Sequence, residues 1–161
     1  MSDSIMFHEG NRRLQDQFES RRISDRLEQF SRKEFTPDDR AFVESAPYFF
    51  LATADTEGRP DCSFKGGMPG FVSIIGPSEL AFPDYDGNGM YRTWGNVLVN
   101  PRVGLLFLDF EHPRRLRVNG TARLLRDPEL LARHAVAGKP ARTVVEVTAA
   151  SVYFQCGKAL I

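Results

Sequence analysis

The sequence predicts a mostly β protein, an antiparallel β-barrel with flanking helices that makes one structural domain overall. Three observations carry this. About six or seven short apolar runs lie between residues 48 and 156, each bounded by Gly, Pro, Asn or Asp. Helical spacing is confined to the residues before Pro47 and to two short inserts. With 161 residues, 42% of them hydrophobic and 13 of them Phe, the chain suits a single aromatic-rich core.

Taken in order, residues 11–34 are the most charged stretch, with Leu14, Phe18, Ile23, Leu27 and Phe30 spaced three to five apart. That spacing predicts one or two amphipathic helices, and residues 1–35 form an N-terminal helical segment ahead of a barrel domain over 36–161. Thr36 can cap the next helix, Pro37 sits where a missing N–H costs nothing, and Asp38 and Asp39 favour the positive end of the dipole. Ala41, Phe42, Val43 and Ala46 give this helix its apolar side, and Pro47 stops it.

From Tyr48 the period changes. YFFLATAD reads as a buried strand entering a turn at Thr-Glu-Gly, and DCSF, FVSII and ELAFPDY follow as further strands. DYDGNGMY, residues 84–91, is too rich in Gly, Asn and Asp to be regular. Met90, Trp94, Val97 and Leu98 have helical spacing, with Pro101 just past the end. RVGLLFLDF and RRLRVNGTARLL form a strand pair joined across Glu111, His112 and Pro113, Asp127-Pro128-Glu129 opens another helix, and TVVEVTAASVYFQC closes the sheet. Cys156, at the end of that run, reads as a buried structural thiol, and Trp94 as helix packing.

Composition excludes several classes of function. Twenty-one Lys plus Arg balance 21 Asp plus Glu, so nothing in the overall charge seeks a polyanion such as nucleic acid. No apolar run reaches the length of a membrane span. MSDSIMFHEGNRR has no apolar signal core or small-residue cleavage site, and Cys62 and Cys156 make neither a CxxC pair nor a disulfide framework. The expected setting is cytoplasmic, with reduced thiols. His8, His112 and His134 lack metal-ligand spacing, and no G-x-S-x-G, Walker loop or dinucleotide fingerprint is present. Any chemistry is expected from a cofactor.

Phosphate-capable groups remain. Ser63 and Lys65 alternate in RPDCSFKGG, so they share one strand face, with Cys62 and Phe64 on the other. Gly66 and Gly67 beside Lys65 allow backbone to approach a ligand closely. Arg92 and Thr93 open the MYRTWGNVLVN helix, where a guanidinium, a hydroxyl and open N–H groups suit a monophosphate. Arg115 and Arg117 alternate on a third strand. A cation on a strand more often belongs to a solvated face, and the residues by themselves point no further than an anion-binding barrel.

FLATADTEGRPDCSFKGG, LAFPDYDGNGMYRTWGNVLVNPRVGLLF and RRLRVNGTA, in that order and spacing, resemble the pyridoxamine 5'-phosphate oxidase superfamily of FMN-binding split barrels over residues 36–156. The resemblance implies a split β-barrel of the FMN-binding type and a homodimer with FMN at its interface. It implies that Ser63, Phe64 and Lys65 lie where the family's first strand pair meets the FMN phosphate. Phe82-Pro83-Asp84-Tyr85 resembles the strand whose backbone runs along the flavin ring. Tyr91-Arg92-Thr93 resembles the Ser-Arg-Lys phosphate clasp, with Thr93 offering a hydroxyl where the family has Lys. Arg115 falls where the family has a flavin-contacting Gln. These 161 residues contain neither the oxidase's substrate-gripping Arg-x-His segment nor its closing Trp, and DGNG is inserted in the flavin-proximal loop. The resemblance therefore implies an FMN-dependent oxidoreductase acting on a small molecule that it does not identify. The alternatives are a deazaflavin- or haem-binding barrel, or a flavin-binding module without turnover.

Overall fold

The computed structural model describes residues 4–85, 87–136, 138 and 140–156, the Cys156 side chain excepted, so the expectation for that thiol lies outside the described residues. Two helices precede the barrel, α1 (Glu9–Gln17) and α2 (Arg21–Gln29). They are tied to each other by Arg12, whose guanidinium meets Asp25 at 2.6 Å and Glu28 at 3.1 Å. Their apolar stripe faces outward: Leu14, Phe18, Ile23, Leu27 and Phe30 are 54–71% exposed. The segment reaches the sheet just beyond α2, where Arg32 and Val152 exchange backbone hydrogen bonds and Ser31 meets Ser151.

Helix α3 (Pro37–Ser45) starts as its sequence predicts and is more strongly anchored than the sequence indicates. Thr36 and Asp39 form a reciprocal capping box. The Asp39 carboxylate is also fully buried and takes Arg32 Nη2 on both oxygens at 2.7 Å.

Seven strands follow, β1 (Tyr48–Ala54), β2 (Pro60–Gly66), β3 (Ser73–Ile74), β4 (Glu79–Asp84), β5 (Arg102–Asp109), β6 (Arg114–Leu125) and β7 (Thr143–Cys156), with α4 (Arg92–Val99) and α5 (Pro128–Arg133) inserted. All pairings are antiparallel, in the order β2-β1-β5-β6-β7-β4-β3. This is a split barrel. FVSII contributes only Ser73 and Ile74 as strand, because the Gly and Pro residues around it bend the chain.

Alternation decides which residues enter the barrel. On β1 the inward residues are Phe49, Leu51 and Thr53, and register places Lys65, Ser63 and Asp61 of β2 opposite them on the same face. Phe49 lies at the centre, 4.9 Å from the Phe82 ring and 5.0 Å from that of Phe107. All three are at most 1% exposed. Burying one such side chain contributes about 1.5–3 kcal/mol, so the aromatic layer is a main source of stability. The hydrophobic core therefore ends in polar residues at β2, the edge strand nearest α4. The candidate site lies there.

Candidate functional site

Helix α4 is held at the end of the barrel by its own apolar side. Thr93, Trp94 and Val97 are buried, and Asn96 Nδ2 donates to Thr53 Oγ1 at 3.0 Å. Its N-cap, Tyr91, is in the left-handed region with φ 53°, a conformation that costs a non-glycine residue on the order of 1 kcal/mol. No side chain caps the helix, so its first-turn N–H groups remain available to a ligand. The Tyr91 hydroxyl accepts from Arg142.

This helix start faces the inward side of β2. Ser63 Oγ and Thr93 Oγ1 are 3.1 Å apart. Arg92 Nε lies 3.3 Å from one Asp61 oxygen, and Thr93 Oγ1 donates to the other at 3.5 Å. Lys65 Nζ sits 4.6 Å over the Trp94 ring and 3.7 Å from the Asp84 carboxylate. The Lys65–Asp84 contact joins β2 to β4, which do not pair through their backbones. A cavity of about 250 Å³ opens among Ser63, Lys65, Asp84, Tyr85, Tyr91 and Thr93. Behind Tyr85 and Pro83 a wider depression of about 1170 Å³ runs between the 66–71 segment and residues 133–136 and 140–142. Tyr85 divides the two, its hydroxyl donating to the His134 carbonyl at 2.8 Å. Burial raises its pKa and keeps the phenol protonated.

The structure thus brings together Ser63, Lys65, Asp84, Tyr85, Arg92 and Thr93 from the sequence-derived set. Pro83 is buried on the side of the wider depression. Phe82 is a core residue at 1% exposure, packed on Phe49 and Trp94, and it lines neither cavity. Phe64 borders the cavity but carries its ring to the outer face, 62% exposed and stacked on Tyr48 at 5.5 Å. Arg115 is not part of this cluster within one chain. It lies on β6, separated from β2 by β1 and β5, and its Nε is buried without a hydrogen-bond partner among the described residues. Sequence reasoning missed Asp61, although the alternation that aligned Ser63 with Lys65 places Asp61 on their face too. It also read Trp94 as packing without seeing that the ring forms the floor under Lys65.

A family model described as pyridoxamine 5'-phosphate oxidase matches residues 35–156. No curated protein matches the sequence. Solved structures of similar fold include HupZ of Group A Streptococcus, 16% identical over 76% of this chain and 94% of that one, with a TM-score of 0.61. An FMN-binding protein from Syntrophomonas wolfei is 11% identical over 88% and 96% of the two chains, with a TM-score of 0.56. An F420 reductase is 21% identical over 72% and 94%, with a TM-score of 0.50. At these identities the likeness concerns the fold.

Proposed function

The chain belongs to the pyridoxamine 5'-phosphate oxidase family, and on that premise we propose that it is an FMN-binding flavoprotein, an FMN-dependent oxidoreductase acting on a small molecule. One observation carries the reading: Ser63, Lys65, Arg92 and Thr93, from a strand and a helix 27 or more residues apart, converge on an uncapped helix start. That donor set fits a phosphate monoester. Two hydroxyls, an ammonium, a guanidinium and first-turn N–H groups all donate, and the helix dipole favours an anion. In this reading those four residues hold the FMN phosphate, and the backbone of Phe82-Pro83-Asp84-Tyr85, with Phe64 at the strand edge, borders the ring. Bound there, FMN would supply hydride or single-electron transfer.

The reading includes a homodimer. Ligand pockets usually measure about 300–1,000 Å³. The cavity at α4, about 250 Å³, suits the phosphate end of FMN and leaves its ring in need of another wall. The outer face beside it carries Tyr48, Phe50 and the exposed Phe64 in mutual ring contact. A two-fold partner docked there would cover those rings and bring its own Arg115 toward the flavin. Among the described residues no helix is long and apolar enough to cross a membrane, and a cytoplasmic location accords with the sequence reading.

The fold shared with an F420 reductase supports a second reading, a deazaflavin in the same cavity. Fluorescence titration of the purified protein with FMN and with F420 separates the two. Saturable FMN binding with F420 at least about tenfold weaker is expected, and the reverse order would replace FMN by the deazaflavin.

A further inference from the structure

We infer that FMN is an exchangeable ligand of this site, a cosubstrate or cargo taken up and released, because Lys65 and Arg92, two of the groups proposed to hold its phosphate, are each already matched by a carboxylate of the same chain. The inference rests on the phosphate reading above and concerns how firmly the site holds what it binds.

Lys65 lines the cavity and pairs with Asp84 at 3.7 Å, and Arg92, next to the cavity-lining Thr93, pairs with Asp61 at 3.3 Å. These four side chains sum to zero charge. The Asp61 carboxylate is only 20% exposed and that of Asp84 only 17%, so water screens these two charges incompletely, although the Arg92 side chain itself is 61% exposed. Asp61 also accepts the Thr93 hydroxyl, which in turn meets Ser63, so the hydroxyls expected to donate to phosphate belong to the same internal network. An incoming phosphate must displace these carboxylates or accept their repulsion. Two unmatched cations would instead gain their full attraction on binding. The arrangement keeps the donors in place when no ligand is bound, and it limits how tightly a dianion is retained.

Asp61 is thereby a residue that sets flavin retention. The opposite possibility is that Asp61 mainly aims Arg92 and Thr93 at the phosphate, and the two make opposite predictions for Asp61→Asn. This near-isosteric change keeps an acceptor for Thr93 and removes the charge. On the intact chain, FMN fluorescence titration and stopped-flow dissociation should show Asp61→Asn binding FMN about tenfold more tightly, as expected for the loss of one incompletely screened like charge. Its dissociation should slow in proportion, and riboflavin affinity should stay within about twofold. Asp84→Asn should move FMN in the same direction, with melting temperatures showing that both variants are folded. The parent should lose bound FMN on desalting. An Asp61→Asn variant that binds FMN less tightly or equally, or a parent that retains FMN through extended dialysis, would overturn the inference. If neither parent nor variants distinguish FMN from riboflavin, the phosphate reading has failed and this inference falls with it.

Discussion

Asp39 and Asp61 illustrate what one residue's neighbourhood adds to its sequence. Asp39 is recognisable as part of a helix start, since Thr-Pro-Asp-Asp is a compact capping signal. Its complete burial and its two-oxygen contact with Arg32 are not recognisable, because Arg32 lies outside the helix and reaches back only once β7 has docked beside it. Asp39→Ala should therefore cost more than a surface cap. A hydrogen bond to a charged group contributes about 1.5–3 kcal/mol, and removing one partner leaves Arg32 half-buried without its counter-ion, so a loss of about 2–3 kcal/mol is expected. Chemical denaturation measures it, and a change under about 0.5 kcal/mol would show the pair to be worth no more than an exposed one. Asp61 is the opposite case. Its face was available from alternation, but nothing in the local sequence shows that Arg92, 31 residues on, would meet it.

At the level of elements, the strands and helices were largely legible and their environments less so. The strand runs from Tyr48, Arg102, Arg114 and Thr143, and the helices opening at Pro37, Arg92 and Pro128, stand where apolar spacing and cap residues put them. Leu14, Ile23 and Leu27 on α1 and α2, with Phe18 and Phe30 at the helix C-caps, form the stripe that their spacing predicts, yet the stripe is exposed, since periodicity identifies a face without saying what covers it. ELAFPDY was read through its likeness to a flavin-lining strand. In the structure, the Phe82 side chain fills the core, because that strand pairs with β7 and inward alternation puts Phe82 opposite Val145. The irregularity at Asn119/Gly120 on β6 was also invisible, as it depends on the partner strand. A Cβ at Gly120 would lie 2.0 Å from the Thr148 carbonyl oxygen, a backbone atom that cannot swing away. Gly120→Ala should force the longest strand pair apart locally and cost about 2–3 kcal/mol, which for a chain of this size lowers the melting temperature by about 5–10 °C. An unchanged melting temperature would mean that the β6–β7 ladder has slack the structure does not show.

For the whole molecule, the split barrel places a polar inward surface at β2 and closes that side with α4 and with the Lys65–Asp84 contact in place of a backbone ladder. The outer aromatic face of β1 and β2 adjoins the same cavity, so a homodimer and a complete flavin site are one expectation. Sedimentation at micromolar concentration should give twice the chain mass. Phe64→Glu, which puts a charge into the exposed ring cluster, should shift the protein toward monomer and weaken FMN binding together, whereas a monomeric parent with full FMN affinity would confine the site to one chain. The central claim, that the cavity between β2 and α4 grips a flavin by its phosphate, is tested most directly by comparing FMN and riboflavin affinities in the parent and in Arg92→Ala. The parent should prefer FMN by at least about tenfold, and Arg92→Ala should cost FMN about tenfold or more while leaving riboflavin nearly unchanged, since one charge-assisted contact is worth about 1.5–3 kcal/mol. Equal losses for the two ligands, or no preference for FMN in the parent, would contradict it.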